Sequence, residues 1–187
     1  ITARAKSEFE AKSIIKPVKD ELLKEFSKFI FGEDDDNLSS ILINQLKKRK
    51  ESLVFAESCT GGLLSASITK IEGASQIFKG SIVSYNNELK QSLLNIPEYL
   101  LMKPGAVSEE VAETMAINAK EKLNSDWAIA ISGIAGPSGG NKEKPVGLVY
   151  ISIAGPDDQL TNIKKIFSST RNRVEIQRLS VNVCLNS

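Results

Sequence analysis

Ser58-Cys59-Thr60-Gly61-Gly62 lies between an apolar run, Leu53-Val54-Phe55-Ala56-Glu57, and an alanine- and leucine-containing run that begins at Leu63. The first run reads as a buried strand and the last as a helix, so the Ser58 and Thr60 hydroxyls and the Cys59 thiol stand at a strand-to-helix turn. At such a turn the first helical N–H groups lack intrahelical partners and point outward, which suits a ligand. A second turn of this kind follows the apolar residues 127–131, where Ser132 and Gly133 open a stretch with further glycines at 136, 139 and 140. That spacing fits neither a Walker phosphate loop nor a dinucleotide fingerprint, but it frees backbone N–H groups to approach a ligand closely. A third junction joins a strand over 81–85 to a helix over 87–94 capped by Asn86, and it places Tyr85 and Lys90 on its two sides.

The chain has no histidine among its 187 residues and only two cysteines, Cys59 and Cys184. Ser-His-Asp and Cys-His machinery are therefore excluded, and soft ligands are too few for a structural zinc site. Acid–base work falls to Lys, Arg, Tyr, Asp, Glu or hydroxyls. Two thiols so far apart in a chain of this kind read as free cysteines rather than a disulfide. Lys plus Arg (24) nearly cancel Asp plus Glu (23), which argues against nucleic acid or an anionic membrane as partner. No apolar run has the length of a membrane span and the N-terminus lacks a signal-peptide pattern, so a cytoplasmic protein is expected.

The elements that must position these groups follow from periodicity. Residues 8–30 carry apolar side chains at near-helical spacing, with Pro17 predicting a kink or a helix start. With the half-strand before it, this helix reads as the end of an upstream module and linker over 1–32. The acidic turn Gly32-Glu33-Asp34-Asp35-Asp36-Asn37 marks the boundary to a domain over 33–187. Within that domain a helix over 38–48 leads into the strand before Ser58. A loop over 100–106, a helix from Ser108 to about residue 123, strands over 127–131, 146–154 and 161–168, and a helix over 171–185 complete the pattern. Strands alternating with helices, then a late hairpin turned at 155–158, predict an α/β fold: a three-layer α/β/α sandwich on a mixed sheet. The strand ends near 58 and 132 are then expected to face one crevice.

Several motifs in order resemble the C-terminal domain of the CinA family of competence/damage-inducible proteins. They are Ala56-Glu57-Ser58-Cys59-Thr60-Gly61-Gly62, Tyr85-Asn86-Asn87-Glu88-Leu89-Lys90, Pro104-Gly105-Ala106-Val107-Ser108 and Gly133-Ile134-Ala135-Gly136-Pro137-Ser138-Gly139-Gly140. The resemblance implies a nicotinamide mononucleotide deamidase of the pyridine nucleotide cycle and NAD salvage, a hydrolase releasing ammonia and nicotinic acid mononucleotide. It implies a reactive serine at Ser75 in Gly73-Ala74-Ser75, with Lys90, Tyr85 and the Arg171 region around it. Ser58, Thr60, Gly61, Gly62, Ser132 and Gly133 would line the substrate pocket. Ser132 stands where the family pattern has threonine, and Ser169-Thr170-Arg171 where it has Gly-Asp-Arg, which leaves Arg171 or Arg173 open.

A histidine-free amide hydrolase can take a buried lysine as base, and Lys90 is the candidate. Tyr85 would relay a proton or fix the serine, N–H groups of residues 132–140 would hold an oxyanion, and the helix start at Gly61 with Arg171 would take a phosphate. Ser58, Ser75 and Cys59 all remain open as nucleophile. No cofactor and no metal are required, a homodimer or larger homo-oligomer is expected, and the competing expectation is a catalytically silent nucleotide-binding or protein-docking module.

Overall fold

The computed structural model describes residues 1–27, 29–34 and 36–187; of the acidic run, Asp35 lies outside the described residues. Five strands form one mixed sheet in the order β2-β1-β3-β4-β5. Strands β1 (Leu53–Glu57), β2 (Phe78–Val83) and β3 (Trp127–Gly133) run parallel, whereas β4 (Leu148–Ala154) and β5 (Leu160–Ile166) continue it antiparallel. The chain leaves β1 for β2 on one side and later returns to β3 on the other. That reversal opens a crevice between the carboxyl ends of β1 and β3, where open α/β sheets bind ligands.

Alternation along the strands decides which helix covers which face. Leu53 and Phe55 of β1, Ile129 and Ile131 of β3, and Val149 and Ile151 of β4 pack with Ile43 and Leu46 of α2 (Leu38–Arg49), Leu64 and Ile68 of α3 (Leu63–Thr69), and Ile176 and Val181 of α7 (Arg173–Leu185). Their neighbours Val54, Ala56, Ala128 and Ala130 turn to the opposite face, against Leu94 of α4 (Asn87–Leu94) and Val111, Met115, Ala116 and Ala119 of α6 (Glu109–Lys122). Small residues on both sides let α6 lie close to the sheet. Each fully buried Leu, Ile or Met on these faces contributes about 1.5–3 kcal/mol relative to exposure. The expected three-layer sandwich is therefore the observed one.

Local chemistry sets the helix starts that matter. Asn37, Asn86, Ser108 and Asn172 each accept a backbone N–H three residues on, at the N-caps of α2, α4, α6 and α7. Losing one such cap costs about 1 kcal/mol. At α7 the capping box with Glu175 starts the helix at Arg173 rather than Arg171. Between α4 and α6 a short helical turn, α5 (Glu98–Leu100), leads into the stretch expected as a loop over 100–106, most of which is a second turn over Leu101–Gly105. Strand β2 begins three residues earlier than the sequence pattern indicates and ends before Tyr85. The first helix, α1 (Glu8–Phe26), runs through Pro17 and has no buried residue. No helix among the described residues is long and apolar enough to cross a membrane.

Candidate active site

The crevice between β1 and β3 is a cavity of about 260 Å³ lined by Ser58 and Cys59 after β1, Tyr85, Asn87 and Lys90, Ala106 and Val107, and Ser132 to Gly136 with Ser138, Gly139 and Arg173. Larger apolar clefts of about 430 and 720 Å³ lie against α7 and the segment around Phe31, but they gather no comparable chemistry. Pairing of β1 with β3 places Glu57 beside Ile131, and the Ser58 N–H continues the ladder by donating to the Ile131 carbonyl at 3.0 Å. Ser58 and Ser132 are thereby brought into one pocket, as their positions at two strand ends predict.

At its centre Lys90 Nζ donates to Ser58 Oγ at 2.9 Å and to the Ser84 carbonyl at 2.6 Å. Lys90 is the fourth residue of α4, on the face turned to the sheet, and only 1% of its surface is exposed. No carboxylate pairs with it among the described residues. Burial without a counter-charge disfavours the ammonium form and lowers its pKa from 10.5 to about 8. A lysine so placed can take up the proton of the hydroxyl it touches at mildly alkaline pH.

Cys59, the alternative nucleophile, also lines the cavity, but burial pushes its thiol up to about 12. A thiol with that ionisation supplies almost no thiolate near neutrality. Ser132 Oγ donates to the Ala106 carbonyl at 2.6 Å and so ties the end of β3 to the cavity wall at 106–107. Gly133 is required by packing, since a Cβ there would stand 2.8 Å from the Leu148 carbonyl oxygen. Lys144 closes the far side of that wall by donating to the Pro104 and Val107 carbonyls, both at 2.6 Å.

Arg173 reaches the cavity from the first turn of α7. It donates from one guanidinium nitrogen to the Gly136 carbonyl at 2.9 Å and from the other to the Tyr85 hydroxyl. A cation at a helix N-terminus opposes the helix dipole, a local cost of some tenths of a kcal/mol that points to a role in the cavity. Arg171 is exposed, lies before the N-cap and does not line the cavity. Lys90 and Arg173 are the charged residues of the lining, and both are cationic.

Four further positions expected in the pocket lie elsewhere. Ser75 is exposed in the turn Ala74–Gln76 that precedes β2. Because β2 runs parallel to β1, that turn is at the opposite end of the sheet, about 16 Å of strand away from Ser58. Within one chain Ser75 and Lys90 are not brought together. Thr60 and Gly62 turn inward to the Glu57 carboxylate, at 2.7 and 2.9 Å, and neither they nor Gly61 line the cavity. The start of α3 is thus already occupied by a side chain of the protein.

Glu57, Asn87 and Arg173 are among the polar members of this region given no definite role by sequence reasoning. A lone carboxylate ending the wholly buried strand Leu53–Glu57 is the signal for the first. The Asn172-to-Glu175 capping pattern is the signal for the third.

A buried serine–lysine pair thus sits at the switch point of a mixed α/β sheet, where such sheets form ligand crevices. The chain belongs to the CinA family: residues 35–187 match the model of the CinA C-terminal domain. It is 83% identical over 187 residues to a CinA-like protein of Prochlorococcus marinus subsp. pastoris (strain CCMP1986 / NIES-2087 / MED4), covering all of this chain and 43% of that protein. A CinA-like protein of Prochlorococcus marinus strain NATL2A is 47% identical over 181 residues, 97% of this chain and 42% of that one. The chain therefore spans less than half the length of these curated relatives. Among solved structures, the competence/damage inducible protein CihA from Agrobacterium tumefaciens superposes with a TM-score of 0.78 at 33% identity, over 83% of this chain and 94% of that one. The CinA superfamily protein ECK1530/EC0983 from Escherichia coli gives 0.76 at 30% identity, over 84% and 92%.

Proposed function

We propose that this domain is a metal-independent amidohydrolase that cleaves the carboxamide of nicotinamide mononucleotide to nicotinic acid mononucleotide and ammonia. The observation that carries the reading is Lys90 Nζ at 2.9 Å from Ser58 Oγ, buried in a cavity whose charged lining is cationic. Family membership supports it, and the cationic lining fits a substrate with a phosphate.

In this mechanism neutral Lys90 takes the Ser58 proton as the oxygen attacks the carboxamide carbon. The N–H of Cys59 and those of the 135–140 loop, Pro137 apart, hold the resulting oxyanion. Lys90, now an ammonium, returns the proton to the departing nitrogen, so ammonia leaves and an ester to Ser58 remains. Water, deprotonated by Lys90, hydrolyses that ester and restores Ser58. Tyr85 and Arg173 form one unit at the rim, and Arg173 takes the phosphate, with Tyr85 orienting its guanidinium.

Ammonia release from nicotinamide mononucleotide by the purified protein tests the reading, with Ser58→Ala and Ser75→Ala beside it. Ser58→Ala should lower turnover by about a thousandfold or more while Ser75→Ala stays within about twofold. Substrate binding without ammonia release would instead identify a silent nucleotide-binding or docking module. An inactive Ser75→Ala with an active Ser58→Ala would move the nucleophile. We also propose a homodimer or larger homo-oligomer in the cytoplasm, which sedimentation at micromolar concentration would refute by returning a monomer.

A further inference from the structure

The carboxylate of Glu57 is fully buried and accepts five hydrogen bonds, all from residues that follow it in the chain. Oε2 takes Thr60 Oγ1 at 2.7 Å, Gly62 N–H at 2.9 Å and Leu64 N–H at 3.1 Å. Oε1 takes the Ser65 N–H at 2.8 Å and the Ser65 hydroxyl at 2.5 Å. One side chain thus holds both the turn that carries Ser58 and the first turn of α3. Its backbone closes a circuit around the pair: the Glu57 carbonyl accepts the Ser84 N–H at 2.9 Å, and the Ser84 carbonyl accepts Lys90 Nζ. Lys90 then reaches Ser58, the residue next to Glu57.

We propose that Glu57 is the positioning residue of the site, holding the Ser58–Gly62 turn in the one shape that presents Ser58 Oγ to Lys90. By using the donors at the start of α3, Glu57 also denies that helix end to the substrate's anionic group, which is left to Arg173. The proposal rests on the reading of Ser58 and Lys90 as nucleophile and base. Glu57 itself does not line the cavity and acts through the turn.

Glu57→Gln is the informative change, because each carboxylate oxygen accepts at least two donors. Whichever way the amide is turned, its NH₂ faces donors and cannot satisfy them. Two readouts are taken on the folded variant: kcat and KM on nicotinamide mononucleotide, and the rate at which a fluorophosphonate labels Ser58, read by intact mass. Misplacement of the nucleophile should lower kcat and labelling about a hundredfold, leave KM within about twofold, and keep the alkaline inflection set by Lys90. Glu57→Asp, which keeps the charge but is one methylene shorter, should recover part of the loss.

A folded Glu57→Gln protein labelled at the wild-type rate overturns the proposal and leaves the serine–lysine reading intact. A wild-type protein that is labelled at Ser58 but releases no ammonia removes the substrate assignment, and labelling alone then decides the role of Glu57. A wild-type protein not labelled at Ser58 removes both. If Glu57→Gln does not fold, Thr60→Val and Ser65→Ala each delete one donor to the carboxylate. Each should then lower kcat or labelling by about threefold to tenfold without raising KM. Wild-type rates in both, or a raised KM for Thr60→Val showing that this hydroxyl meets substrate, overturn it.

Discussion

Replacing Lys90 with Met removes the amine while keeping most of the aliphatic stem, and it separates two consequences of burying this lysine. The side chain ionises near 8 rather than 10.5, a shift worth about 3 kcal/mol against the charged form at about 1.4 kcal/mol for each pH unit. Between those values the unfolded chain holds a proton that the folded chain has released. Folding stability contributed by Lys90 therefore rises with pH across the window from about 8 to 10.5. Urea unfolding of wild type and Lys90→Met at about pH 7 and about pH 10 reads this directly, since pH-independent losses, such as the orphaned Ser84 carbonyl, cancel in the change of the difference. The wild type should gain about 2–3 kcal/mol on the variant over that range. The same ionisation governs turnover: about a tenth of Lys90 is neutral at pH 7 and about nine tenths at pH 9, so kcat/KM should rise roughly tenfold and level off. Lys90→Met should be flat with pH and lower by about a hundredfold or more. A stability difference that does not change with pH, or a variant with near-normal turnover, would refute the reasoning.

Arg173→Ala should raise KM about tenfold to a hundredfold with a smaller change in kcat, whereas Arg171→Ala should leave both within about twofold; equal effects would place the phosphate elsewhere. Because its ionisation is pushed up to about 12, Cys59 in the native protein should resist iodoacetamide at neutral pH and react after unfolding, and rapid native labelling would show that the turn opens. We propose that residues 1–32 are dispensable for the fold, since α1 has no buried residue; a truncated chain beginning at Glu33 should keep its thermal midpoint and activity, and collapse of either would move the boundary.

The sheet and its covering helices were legible in the sequence because their signals are local. Apolar strands such as Leu53–Glu57, the N-caps Asn86 and Ser108, and the helical spacing of Val111, Met115 and Ala119 each lie within one element. The same holds for the convergence of Ser58 and Ser132, since adjacent parallel strands end together. The absence of histidine narrowed acid–base work to Lys, Arg, Tyr, Asp, Glu or hydroxyls before any geometry was known, with Lys90 as the candidate. What the sequence could not decide was which of several equivalent side chains faces the cavity. Ser58 and Ser75 are both small hydroxyls in turns that adjoin a strand, and only the parallel pairing of β1 with β2 puts them at opposite ends of the sheet. Arg171 and Arg173 differ by two residues, and a cap at Asn172 puts one in solvent and the other against Gly136 and Tyr85. The glycines after Ser58 advertise a helix end open to a phosphate, yet Glu57 folds back to occupy it. That contact joins residues close in sequence, but it forms only because the strand end is buried and no water competes for its carboxylate. Tertiary burial likewise set Lys90 apart from an ordinary lysine and lowered its pKa, by removing solvent from its ammonium without supplying a counter-ion.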